Sequence, residues 1–149
     1  MSFRIHQASI DDLDTLVPLF DDYRQFYRQS SDVARARAFL AERIARQESQ
    51  VLLALDDSGS GLGFSQLYPL FSSVRVVRTW LLNDLFVATA ARRQGVARAL
   101  LIAAADHARS QGVASLSLST SLDNAPAQAL YESLGWQRDQ GFCEYGLVL

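Results

Sequence analysis

A single cysteine, Cys143, stands in the 149 residues. No disulfide can therefore form within the chain, which fits a reducing compartment and leaves stability to a packed core. No apolar stretch reaches the ~20 residues that a membrane helix requires. The start, Met1-Ser2-Phe3-Arg4, is not a charged segment followed by an apolar run, and the expectation is a cytoplasmic protein. The two histidines, His6 and His107, have no partner at ligand spacing, so no metal is expected. Net charge is only −2, which gives the chain no reason to seek nucleic acid or an acidic membrane. A P-loop, Gly-x-x-x-x-Gly-Lys followed by Ser or Thr, is missing, and so is the three-glycine dinucleotide fingerprint. Repeats, low-complexity tracts and linkers are also missing. Residues 1–149 thus read as one domain, long enough to bury a full core, with 49% hydrophobic and 20% charged residues.

What is present reads as alternating helices and strands. Residues 3–8 can form a first strand. Ser9 is a suitable N-cap, with Asp11, Asp12 and Asp14 complementing the dipole of the helix that follows. That helix stacks Ile10, Leu13, Leu16, Val17 and Phe20, and Pro18 is expected to kink or divide it. A second helix starts near Asp32 and packs Val33, Ala36, Leu40 and Ile44. Residues 50–55 read as a buried strand, 56–61 as a turn cluster, and 62–68 as the hairpin partner. Residues 74–87 form a long strand-rich run. A helix then covers 96–110, stacking Val96, Leu100 and Ala103, and Gly112 ends it. Residues 114–119 alternate as a half-buried strand. Asn124 caps a further helix that tolerates Pro126 in its first turn and stops at Gly135. Residues 142–148 are expected to make a final strand. This order predicts one mixed sheet with helices on both faces.

The most informative segment joins the long strand to the helix at Val96. It reads Val-Ala-Thr-Ala-Ala-Arg-Arg-Gln-Gly-Val-Ala-Arg over residues 87–98. A turn with Arg92-x-x-Gly95-x-Ala97 leaves consecutive backbone amides unpaired at a helix N-terminus, where the macrodipole adds about half a positive charge. Gly95 permits a left-handed or close-approach backbone, and Ala97 is too small to block a ligand. Arg92, Arg93 and Arg98 add charge. A phosphorylated ligand is expected here, whereas the same arginines without further support would be a solvated basic turn.

Further support lies downstream. The Arg-x-x-Gly-x-Ala run resembles the pyrophosphate loop of the GCN5-related N-acetyltransferases (GNAT superfamily). Asn124-Ala125-Pro126-Ala127-Gln128-Ala129-Leu130-Tyr131-Glu132-Ser133-Leu134-Gly135-Trp136 resembles the same superfamily's Asn-x-x-Ala-x-x-Leu-Tyr-x-x-x-Gly-Phe element, with Trp for Phe. Details at residues 82–87 and 135–139 resemble the branch of fungal histone and polyamine acetyltransferases and their bacterial homologues. The resemblance covers the C-terminal half. It implies an α/β (α+β) fold whose mostly antiparallel central sheet is splayed in the middle, opening a slot for the pantetheine arm of acetyl-coenzyme A. Carried over, the arm would bond Leu85, Phe86 and Val87, with Asn124 on its other side. The pyrophosphate would take Arg92, Arg93, Gln94, Gly95, Val96, Ala97 and Arg98.

The implied reaction is transfer of the acetyl group to a primary amine by direct attack in a ternary complex. An amine of pKa about 10 is neutral in only ~1 molecule per thousand at pH 7, which adds ~4 kcal/mol to the barrier. Asp84 is the candidate that removes this proton through water, or that attracts the cation; alternation puts it on one strand face with Phe86. A structural role at the strand end remains its competitor. Tyr131 is the candidate acid for the leaving thiolate, against a plain packing role. Small-molecule amines are favoured because no additional docking domain exists. The acceptor end is expected in residues 21–27 and 68–73. Alternatives are a protein lysine or N-terminal acetyltransferase, and a catalytically silent acyl-coenzyme A sensor. A homodimer through the long or the C-terminal strand is compatible with the sequence.

Overall fold

The computed structural model describes residues 2–149. It forms two compact units, residues 2–118 and Ser119–Leu149. The first contains strands β1 (Phe3–Gln7), β2 (Gln50–Asp56), β3 (Gly61–Ser72), β4 (Val77–Val87) and β5 (Ser115–Ser117). It also holds helices α1 (Leu13–Phe26), α2 (Val33–Ala45) and α3 (Val96–Ser110); the second unit holds α4 (Ala125–Ser133). The sheet order is β1-β2-β3-β4-β5. Its first four strands are antiparallel neighbours, and β5 joins β4 in parallel. The α/β fold is therefore a mixed, mostly antiparallel sheet.

Ser9 caps a short 3-10 turn, Ile10–Asp12, rather than α1 itself, which begins only at Leu13 with no side-chain cap and leaves Ile10 exposed instead of stacked. Ser9 accepts from the Asp11 amide at 3.2 Å, and its own amide donates to Asp12 at 2.8 Å. Asp32 caps α2 by accepting from the Arg35 amide at 3.0 Å. Pro18, however, does not divide α1, which runs unbroken from Leu13 to Phe26. An interior proline costs about 3 kcal/mol. Here its ring lies on the exposed side, while Leu16, Val17, Leu19 and Phe20 beside it are buried. Each such burial stabilises by about 1.5–3 kcal/mol, enough to hold the helix through the lost bond. Val33 is exposed rather than packed, and α2 buries Ala36 and Leu40.

One irregularity sets the geometry of β4. Gln66 pairs with Asp84, but the next residue, Leu67, pairs with Leu82, so Asn83 is an extra residue in a β-bulge. A bulge exchanges the faces of the residues on its two sides. Phe64, Gln66, Asp84 and Phe86 therefore share the face covered by α1 and α2. Phe64 and Phe86 enter a core with Leu13, Leu16, Val17, Phe20 and Leu40. Leu82 and Trp80 lie on the opposite face, where the Trp80 ring stands 5.4 Å from that of His107 on α3. Helices thus cover both faces of the sheet.

Pairing between β4 and β5 covers only Thr79↔Ser115, Trp80↔Leu116 and Leu81↔Ser117. Residues 82–87 run on without β5, and the sheet is open there. On its other side this end of β4 is held close to β3. A Cβ on Gly63 would stand 2.6 Å from the Phe86 carbonyl oxygen and 3.1 Å from Val87 Cα. Backbone cannot yield as a side chain does. Gly63→Ala is accordingly expected to destabilise the fold by about 1–3 kcal/mol, seen as a lower urea midpoint at unchanged m-value. A midpoint equal to wild type would show that the two strands separate freely.

The final strand expected over residues 142–148 does not form. These residues carry no strand pairing and are exposed, Tyr145 and Leu147 at 94% and 86%. An apolar, β-prone run becomes a strand only when a neighbouring ladder accepts its amides and carbonyls. The 114–119 expectation likewise shrinks to Ser115–Ser117, the part that meets β4.

Candidate active site

In the loop after β4 the backbone takes the shape that the Arg-x-x-Gly-x-Ala spacing suggests. Arg93 at φ +62° and Gly95 at φ +82° are both left-handed, and Gly95 is the N-cap of α3. A non-glycine residue at positive φ costs of order 1–3 kcal/mol and persists where its surroundings impose it. The first intrahelical bond of α3 runs from the Ala99 amide to Gly95 oxygen at 3.0 Å. The amides of Gln94, Gly95, Val96 and Ala97 precede it and have no helical acceptor. Successive amides in such a turn form a concave nest for an anion. A Cβ at Gly95 would meet no atom within 4 Å, so the cradle is open.

Arg92 departs from the simple picture of a side chain reaching for phosphate. Its Nε donates to Val87 oxygen at 3.1 Å. Its guanidinium lies 5.8 Å from the ring centroids of both Phe26 and Phe86. It thereby ties the loop to the ends of α1 and β4 through one hydrogen bond to the Val87 carbonyl. Leu85 and Phe86 lie in the part of β4 that β5 does not pair.

Asp84 is the chemically informative residue of that strand. It is 4% exposed. Its Oδ1 accepts from Tyr23 Oη at 2.8 Å and Asn83 Nδ2 at 2.9 Å, and its Oδ2 accepts from Gln66 Nε2. Burial pushes its carboxyl above the ordinary carboxylate range, while these donors oppose the rise. No arginine or histidine among the described residues lies within ion-pair distance of it. Its negative charge also raises two neighbouring phenols. Burial first, then Asp84, lifts Tyr23 well above its usual range and Tyr68 to about 12. Gln66 is fully buried, and its Oε1 has no hydrogen-bond partner.

The acidic residues of the expected acceptor segment divide. Asp21 is 4% exposed and serves the fold: it accepts from Ser31 Oγ at 2.7 Å, the Asp32 amide at 2.8 Å and Gln25 Nε2 at 3.0 Å. The Ser31 bond, above all, holds its carboxyl below the usual range. Tyr23, one half-turn on, reaches Asp84 instead.

Asn124 and Tyr131 belong to the second unit. Asn124 Oδ1 accepts from the Ala127 amide at 3.3 Å, making the predicted cap. Tyr131 lies on α4 with its ring 6.2 Å from Trp136. Gly135, at φ +92°, closes that helix.

A sequence model described as "Acetyltransferase (GNAT) family" matches residues 16–136. The chain belongs to that family. The acetyltransferase is 46% identical over 143 residues to "Uncharacterized N-acetyltransferase YhfO" of Bacillus subtilis (strain 168), covering 96% of this chain and 95% of that one. A "probable acetyltransferase" of Haemophilus influenzae is 35% identical over 69% of the chain and 70% of its own length. A crystal structure titled as a probable acetyltransferase superposes with a TM-score of 0.92 at 48% identity, covering 98% of this chain and 97% of the other. Members of the family use acetyl-coenzyme A as co-substrate, and the amide cradle at residues 94–97 suits its pyrophosphate.

Two residues that hold Asp84 escape a reading along the sequence. Tyr23 lies 61 positions from Asp84, and Gln66 lies 18. No motif links them. The one hint at Gln66 is a long polar side chain beside Ser65 in a mostly apolar run, residues 62–68.

Proposed function

We propose that this acetyltransferase moves the acetyl group of acetyl-coenzyme A to a small primary amine by direct attack in a ternary complex. The observation that carries this reading is Asp84: a buried carboxylate with three neutral donors and no cation. A buried charge is ordinarily paired. An arriving ammonium supplies the missing partner, and the strand ends three residues later at the start of the loop that opens the anion cradle.

Amides of Gln94, Gly95, Val96 and Ala97 would hold the pyrophosphate, with Arg93 and Arg98 contributing charge and the outer edge of Leu85 and Phe86 aligning the pantetheine. Arg92 holds the turn through Val87. Asn124 keeps its amide nitrogen for a pantetheine carbonyl, because only Oδ1 is used by the cap. Bound there, the co-substrate supplies an activated acetyl thioester. Asp84 attracts the ammonium and draws its proton off through water; Tyr23, Asn83 and Gln66 fix the carboxylate. Backbone amides of β4 stabilise the charge that develops on the carbonyl oxygen. The Tyr131 phenol then protonates the departing sulfur. A phenol is a somewhat weaker acid than a thiol, a difference that a positioned donor can overcome.

Amine-dependent release of free thiol from acetyl-coenzyme A tests the reaction. The chain contains no lysine, so no lysine side chain of its own competes as acceptor. Release that is independent of added amine would contradict the reading. Tyr131→Phe is expected to bind the co-substrate normally while kcat falls on the order of 10²–10⁴-fold, since the hydroxyl acts only as charge gathers on sulfur. Wild-type kcat across the pH range would remove Tyr131 from the mechanism.

A further inference from the structure

Resting on that reading, the geometry points to the kind of amine: a monoamine with an apolar or aromatic body, discriminated from polyamines. Three zones follow one another along the contacts of Asp84. Innermost is the carboxylate, bonded by Tyr23. The Tyr23 ring stands 5.9 Å from Phe86 and 5.2 Å from Tyr27, and Tyr27 stands 5.3 Å from Phe26. Phe26 and Tyr27 are 63% and 59% exposed. Both residues pack ring against ring and still keep more than half of their surface open. At the outer edge the Arg92 guanidinium rests against Phe26 and Phe86, held by Val87 oxygen.

The polarity thus runs anion, aromatic, cation. A substrate that matches it places an ammonium at Asp84 and a hydrocarbon or aryl body along the rings, with a neutral or anionic far end. A second ammonium would be carried toward Arg92 and repelled. Among the described residues the other buried carboxylate, Asp21, is consumed by Ser31, Asp32 and Gln25 and does not receive it. Asp22, one turn before Phe26, is exposed, and solvent screens its charge.

Acetylation of phenethylamine, n-butylamine, putrescine and spermidine is compared at saturating acetyl-coenzyme A. Phenethylamine is expected to exceed putrescine and spermidine in kcat/KM by at least on the order of tenfold. Phe26→Ala and Tyr27→Ala remove exposed rings and should leave the melting temperature near wild type. Each should lower kcat/KM for phenethylamine severalfold more than for n-butylamine. A preference for putrescine or spermidine, or an unchanged phenethylamine to n-butylamine ratio in both variants, overturns the inference and leaves the proposed reaction standing. Silence with every amine overturns both.

Discussion

Gly95→Glu abolishes the thermal stabilisation that coenzyme A gives the wild-type chain. At a hundred times its Kd a ligand stabilises the folded state by ~2.7 kcal/mol, a shift of several degrees for a chain of this size. The substituted carboxylate has room, since a Cβ at Gly95 meets nothing within 4 Å. It therefore enters the space in front of the Gln94–Ala97 amides and places a negative charge where a pyrophosphate would lie. Substitution itself strains the backbone, because φ is +82°, by about 1–2 kcal/mol. Gly95→Gln carries the same strain and nearly the same bulk without the charge. It should melt as low as the glutamate variant yet keep a reduced coenzyme A shift. A full shift in Gly95→Glu would move the phosphate site away from this loop.

Asp84→Asn is expected to separate stability from activity. The folded carboxyl has a pKa above its ordinary value of 3.8. Its bound proton therefore contributes stability that is present below that value and is lost as pH rises through the folded pKa. At neutral pH the buried charge is a cost, and the amide removes it. The amide also finds partners. The Tyr23 hydroxyl can still donate to its oxygen, and a turn of the Gln66 amide lets the unpartnered Oε1 accept from the new NH₂. The variant should melt at or above the wild-type temperature near pH 7, the difference closing in acid. Meanwhile kcat/KM should fall on the order of 10²–10⁴-fold, the gap widening as pH falls and the amine becomes harder to neutralise, until the wild-type carboxyl is itself protonated. A less stable variant with a normal pH–rate profile would make Asp84 a structural residue. A stable, fully active one would place proton removal elsewhere.

How much of this was legible along the chain depends on the range of the interaction. Caps and helix ends are local, so Ser9, Asp32, Asn124, Gly112 and Gly135 announce their elements in sequence. The nest at residues 93–97 was legible for the same reason: its geometry is set by one glycine and the helix that follows. The bulge at Asn83 was not. Burial alternates without a break through Trp80, Leu82, Asp84 and Phe86, and the pattern hides that the two halves face opposite sides of the sheet. Asp84 and Phe86 do share a face, as alternation suggested. The donors that hold Asp84 come from α1 and β3, and long-range pairing of polar side chains leaves no periodic trace. Asp21 and Tyr23 looked alike as acceptor-facing residues, yet one ties α1 to the start of α2 and the other reaches the strand. The expected strand at 142–148 failed because β-propensity states only that a run would suit a ladder, not that one is at hand.

The most direct measurement is the identity of the product. The purified chain is incubated with acetyl-coenzyme A and a small primary amine, and the amine is analysed by mass spectrometry alongside the released thiol. The account predicts an N-acetylated amine formed in equal amount to the thiol, with none from a tertiary amine of similar size. Binding of coenzyme A without any acetylated amine, across small amines and peptides alike, would contradict it and leave a protein that holds the acyl carrier without transferring the acyl group.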